Sequence, residues 1–112
     1  MASAARAIEE RFADHVHLTE GPDGLYAEIL RMAPRLEHRA MRLRNDHVEI
    51  MSGLSRLLDR IDASVENLGS ADEDRVDALR REGTRVLGLL VRHRQRGIDL
   101  TYEAYRVDLG GE

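Results

Sequence analysis

Histidine is the residue type in this 112-residue chain best suited to chemistry, because cysteine and lysine are both absent and an imidazole both titrates near neutral pH and ligates transition metals. The five histidines are His15, His17, His38, His47 and His93. His15, His47 and His93 share the spacing of the apolar residues around them, whereas His17 and His38 fall near the middle of polar faces. Imidazoles that project from facing helices into a core, with carboxylates one turn away, are how helical proteins hold transition metals. One turn after His15 stands Thr19, and one turn after His93 stands Gly97, so neither position supplies a carboxylate. Glu20 and Asp99 lie a residue or two beyond, and Asp14 and Asp46 directly precede two of the histidines. A helix turns by about 100° per residue, so none of these carboxylates is in ideal register. A bend near Gly21 or Gly97 would bring Glu20 or Asp99 inward. The candidate metal ligands are therefore His15, His47 and His93, with Glu20 and Asp99 as carboxylates. The alternative is three core histidines, each satisfied by a carbonyl, a carboxylate or a water.

The elements that must position these rings are legible from apolar periodicity. Ala5, Ile8, Phe12 and His15 recur at alternating steps of three and four, which predicts a helix over Ala2 to Thr19 that ends at the turn-forming run Gly21-Pro22-Asp23-Gly24. A short helical piece follows over Leu25 to Met32, and Pro34 imposes a break or sharp bend, since proline suits a first turn and not a helix interior. From Arg35 to about Ala63, the residues Leu36, Ala40, Leu43, His47, Ile50, Leu54, Leu57 and Ile61 form one stripe. The run Ser70-Ala71-Asp72-Glu73 has the spacing of a capping box. A last helix from Ala71 to Arg106 carries Val76, Leu79, Gly83, Val86, Leu90, His93, Gly97, Leu100 and Ala104 on its apolar side. Gly83 and Gly97 each cost a helix interior roughly 1 kcal/mol relative to alanine, a cost that close helix approach or room for a ligand would offset. The reading is an all-α single domain over residues 1–112: an antiparallel helical bundle of three long helices plus one short helix, completed by dimerisation.

Composition narrows the partners. The net charge of −4 argues against nucleic acid, whose binding rests on neutralising phosphates with basic residues. Two arginine-rich runs, Arg35 to Arg44 and Arg92 to Arg96, come with the acidic residues Glu37 and Asp46 in and just after the first, and read as solvated faces. No apolar run is long enough to span a bilayer and the first residues lack the apolar stretch of a secretory signal, so the expectation is a cytoplasmic protein with no membrane partner. The closing run Tyr102 to Leu109 is more apolar and aromatic than a frayed terminus needs, which predicts docking on the bundle or on a partner.

The order of a helix with His15 near its end, a helix reading Leu43-Arg-Asn-Asp-His47 and a last helix reading Leu89-Leu90-Val-Arg-His93 resembles the hemerythrin-like, or HHE cation-binding, family. The likeness covers roughly Ala5 to Ala104. It implies a helical bundle holding non-haem iron through histidines and carboxylates, in proteins that bind oxygen or sense or handle redox-active species. His15, His47 and His93 carry over. The glutamates of the family's H-x-x-x-E repeats fall at Thr19 and Gly97, and the family's first helix has no counterpart. What the resemblance then implies is a single iron held by three imidazoles and one nearby carboxylate. The competing expectation is a metal-free homodimeric interaction or scaffold module. A third, an enzyme using the histidines as acid or base, finds no nucleophile and no convergent carboxylate pair.

Overall fold

A computed structural model describes the backbone of residues 2–66 and 73–110 and the side chains of residues 4–63 and 73–106. The elements are α1 (Ala2–Glu20), α2 (Leu25–Met32), a 3₁₀ turn (Pro34–Leu36), α3 (Glu37–Glu66) and α4 (Glu73–Gly110), and no strand occurs among the described residues. Helix α1 stops where Gly21 to Gly24 form a tight turn closed by the Gly24 N–H on the Gly21 carbonyl at 2.9 Å. At the next junction Ala33 N–H still donates to the Ile29 carbonyl, at 2.7 Å, and Pro34 then opens the 3₁₀ turn. The proline has no N–H to continue the ladder, which is why the chain bends here and restarts at Glu37. The expected capping box lies mostly outside the described residues; α4 begins at Glu73.

Helix α3 lies between α1 and α4. Arg6 pairs with Asp62 while Glu20 meets His47, and Arg56 pairs with Glu82 while Arg35 meets Glu103, so both neighbours run antiparallel to α3. The molecule is 64 Å long and only 22 × 18 Å across. Its radius of gyration is 17.8 Å, against about 13 Å for a compact domain of this length. A narrow stack buries one stripe per helix and little more. Ile8 and Val76, both on sequence-predicted apolar stripes, are nearly half exposed, and Leu58 rather than Leu57 reaches the core near the end of α3.

Two apolar clusters make up the core. One gathers Tyr26, Ile29, Ala33, Leu36, Ala40, Leu43, Leu100 and Ala104; the other gathers Phe12, Ile50, Leu54 and Val86. Each fully buried aliphatic or aromatic side chain contributes roughly 1.5–3 kcal/mol relative to exposure. Along α3, His47 stands between Leu43 of the first cluster and Ile50 of the second. Along α4, His93 stands between Leu100 and Val86. The histidines thus form a polar layer between two apolar blocks.

The arginine runs are taken up by acids on other helices, with Arg35 on Glu103, Arg44 on Glu20 and Arg96 on Asp46. At the far end of α4, Ala104 is in the core and the Tyr105 hydroxyl donates to Glu28 of α2 at 3.3 Å, whereas Tyr102 is exposed. The side chains of the rest of the closing run lie outside the described residues. No helix among the described residues is long and apolar enough to cross a membrane.

Candidate metal centre

Four segments deliver the polar layer. The last turn of α1 carries His15, Thr19 and Glu20, held in place by the Thr19 hydroxyl, which donates to the His15 carbonyl at 2.8 Å. Gly24 sits directly beneath that turn: a Cβ there would lie 2.5 Å from the Leu18 carbonyl oxygen and 2.7 Å from that of Thr19. Its backbone is extended at φ −84° and ψ 177°, so glycine is required for close approach and not for conformation. This contact lets α2 start under α1 and sets Tyr26 below the histidines. Helix α3 contributes Asp46 and His47, and α4 contributes His93 and Arg96.

The three rings converge by their Nε2 atoms. His15 Nε2 and His47 Nε2 each lie 3.1 Å from His93 Nε2, and the three rings each offer a nitrogen within 4.8 Å of the other two. His47 is 2 % exposed and His93 6 %. Phe12 closes the layer from the α1 side, with its ring centroid 5.5 Å from those of His15 and His47 and 6.0 Å from that of His93.

The opposite edges of two of the rings are committed to carboxylates. His47 Nδ1–H donates to Glu20 Oε2 at 2.5 Å, and His93 Nδ1–H donates to Asp46 Oδ2 at 3.1 Å. Those hydrogen bonds assign the tautomer, since a carboxylate accepts and the ring nitrogen facing it must carry the proton. In the neutral rings both Nε2 atoms then carry lone pairs that face one another at 3.1 Å, and the protons within reach are those of the Tyr26 hydroxyl, 3.2 Å from His47 Nε2, and of the His15 ring, 3.1 Å from His93 Nε2. Burial pushes His47 below its ordinary value of 6.5, with Glu20 opposing the shift and His93 adding to it. Burial, with His47 and His93 nearby, likewise lowers His15. The converging nitrogens are compatible with holding one metal ion. Metal–nitrogen bonds of about 2.1 Å separate neighbouring ligand atoms by about 3.0 Å at right angles and about 3.4 Å at the tetrahedral angle, a range that brackets the 3.1 Å contacts. Carboxylates on the far nitrogens of metal-binding imidazoles orient the rings and raise their basicity. Arg44 at 3.7 Å from Glu20 and Arg96 at 2.7 Å from Asp46 steady these carboxylates in turn.

One side of the layer opens into a groove of about 730 Å³ between α1, α2 and α4, whose wall includes Phe12, His15, Tyr26, His93, Gly97 and Ile98. Gly97 has nothing within 4 Å of where a Cβ would be. Helix approach therefore does not explain this glycine, and it leaves open space beside the histidines.

Of the residues singled out from sequence, His15, His47 and His93 come together. Glu20 reaches the centre from behind, on His47 Nδ1. Asp99 is exposed and accepts a hydrogen bond from Gln95 at 3.0 Å. His17 and His38 are exposed, as their polar-face positions require. Sequence reasoning did not assign roles to Asp46 or Tyr26. Asp46 directly precedes His47 in the chain, yet it serves His93 on the next helix. The Tyr26 hydroxyl lies 3.2 Å from His47 Nε2; the one signal for it was an aromatic residue just after the turn that follows His15. The chain matches no protein-family model, no curated protein and no solved structure.

Proposed function

We propose that this protein binds one transition-metal ion, iron, through His15, His47 and His93, and that it handles oxygen or a related redox-active small ligand in the manner of the hemerythrin-like proteins it resembles, within the cytoplasm. The observation that carries the reading is the convergence of one ring nitrogen each from His15, His47 and His93 within 4.8 Å of one another, with carboxylates on the outer nitrogens of His47 and His93. Imidazole suits zinc, copper, iron and nickel; iron is the choice that the family resemblance adds. A single ion is favoured because Glu20 and Asp46, both beside the site, are used on the outer nitrogens and bridge nothing. Bound iron supplies a redox couple and open coordination positions. The chain's own part is to orient three rings and leave access from the groove. Protein purified without a metal-chelating tag should contain close to one iron per chain by elemental analysis; His47→Ala should abolish retention and His38→Ala should not. Metal-free wild-type protein that takes up no iron on addition rejects the proposal.

A second reading is favoured by a different observation. Leu87, Val91, Ile98 and Tyr102 are exposed along one stripe of α4, beside the groove. Apolar stripes of this kind mark interaction surfaces, and a second copy of the chain would cover both stripe and groove in a homodimeric module, with or without metal. A monomer at micromolar concentration in sedimentation analysis rejects it.

A further inference from the structure

The atoms around His47 Nε2 include one donor that the three-histidine reading leaves unused. Tyr26 is 2 % exposed, its ring lies within 21° of parallel to that of His47, and its hydroxyl oxygen is 3.2 Å from His47 Nε2. That distance falls between the two separations, about 3.0 and about 3.4 Å, that neighbouring ligands of one metal ion show, and it matches the 3.1 Å that separates His93 Nε2 from each of the other two histidine nitrogens. A tyrosine kept only for packing could be phenylalanine. Here the hydroxyl, which also interacts with the Thr19 side chain, reaches His47 Nε2 from α2, a helix that contributes no histidine. The nearest carboxylates cannot take this place while they hold the Nδ1 atoms of His47 and His93.

We infer that Tyr26 is the fourth protein ligand of the metal bound by His15, His47 and His93, and that the site is thereby suited to ferric iron through one phenolate oxygen and three imidazole nitrogens. The inference rests on the metal-binding reading above. On loading, the phenol O–H bond breaks, an iron–oxygen bond forms and the proton passes to solvent by way of the groove. The hydroxyl that donates to His47 Nε2 in the metal-free protein is thus replaced, at both atoms, by bonds to the ion. An anionic oxygen is a hard donor and stabilises the ferric over the ferrous state, whereas a site of three neutral imidazoles has no such bias. The position is also sterically prepared, because the close contact at Gly24 fixes α2 one residue before Leu25 and two before Tyr26.

The test is to load the full chain with ferrous iron without air, oxidise it with ferricyanide, and record iron content and visible absorption together. Wild-type protein should hold one iron and show a phenolate-to-iron charge-transfer band. Tyr26→Phe should keep most of the iron and lose the band, and the double variant Tyr102→Phe/Tyr105→Phe should keep both. Iron bound without the band, or a band that survives in Tyr26→Phe, overturns the Tyr26 assignment while leaving the three-histidine site standing. Failure of wild-type protein to hold iron overturns both. If Tyr26→Phe does not fold, resonance Raman spectra of the double variant decide the matter. With only three tyrosines in the chain, tyrosinate modes there can come only from Tyr26, and their absence from an iron-loaded sample rejects the assignment.

Discussion

His47 and His93 face each other across α3 and α4 with their Nε2 atoms 3.1 Å apart, while the far side of each ring is anchored to a carboxylate, His47 to Glu20 and His93 to Asp46. The arrangement fixes which nitrogen holds the proton. Glu20→Gln keeps the shape but offers an amide that can donate to Nδ1, which drives the proton to Nε2 and removes the lone pair that a metal needs. Metal affinity should fall about 10- to 100-fold in Glu20→Gln and in Asp46→Asn, measured by competition with a chromophoric chelator. Unchanged affinity in both would mean that the carboxylates serve only the fold.

Acid should destabilise the metal-free protein. Burial lowers His15 and His47 from 6.5, so below that pH the unfolded chain binds protons that the folded chain refuses. The stability is fully present above 6.5 and is lost as pH falls toward the folded-state values. Urea midpoints of chelator-treated protein should therefore fall from pH 7 to pH 5. Replacing His15 with Gln should flatten that slope, and a slope unaltered by the replacement would count against a role for His15.

Two glycines should respond in opposite senses to alanine. Gly83 lies inside α4 with nothing within 4 Å of a new Cβ, and Gly83→Ala should stabilise the protein by roughly 0.5–1 kcal/mol. At Gly24 the new carbon would press on the Leu18 and Thr19 carbonyls. Gly24→Ala should cost about 1–3 kcal/mol and weaken metal retention by moving the His15 turn. Thermal melts with and without metal measure both effects.

The exposed stripe on α4 makes its own expectation. If a second copy covers it, Ile98→Asp should convert a dimer to a monomer in sedimentation velocity, because a carboxylate buried at an apolar interface loses its hydration without a partner. Wild-type protein that is already monomeric removes the homodimer reading whatever the variant does.

The sequence by itself determined the helices and the breaks at the Gly21 to Gly24 turn and at Pro34, while α3 and α4 run on to Glu66 and Gly110, past the expected Ala63 and Arg106. Period-3.6 burial is a local property of the chain, and the Gly21 to Gly24 turn and Pro34 break the backbone ladder wherever they occur. It also determined that His15, His47 and His93 belong to buried stripes and that His17 and His38 do not, because each choice depends only on the angle around one helix. Which histidine meets which, and at what height, depends on how far α1 and α4 are slid along α3, and no spacing within a helix encodes that stagger. Only the tertiary structure decided that the rings share one layer. It alone turned Glu20 and Asp46 toward the outer nitrogens and placed Asp99 in solvent, since carboxylate register was judged around single helices whereas Asp46 acts across to the next. It also brought in Tyr26 from α2, through a contact at Gly24 that exists only once α2 has folded back under α1.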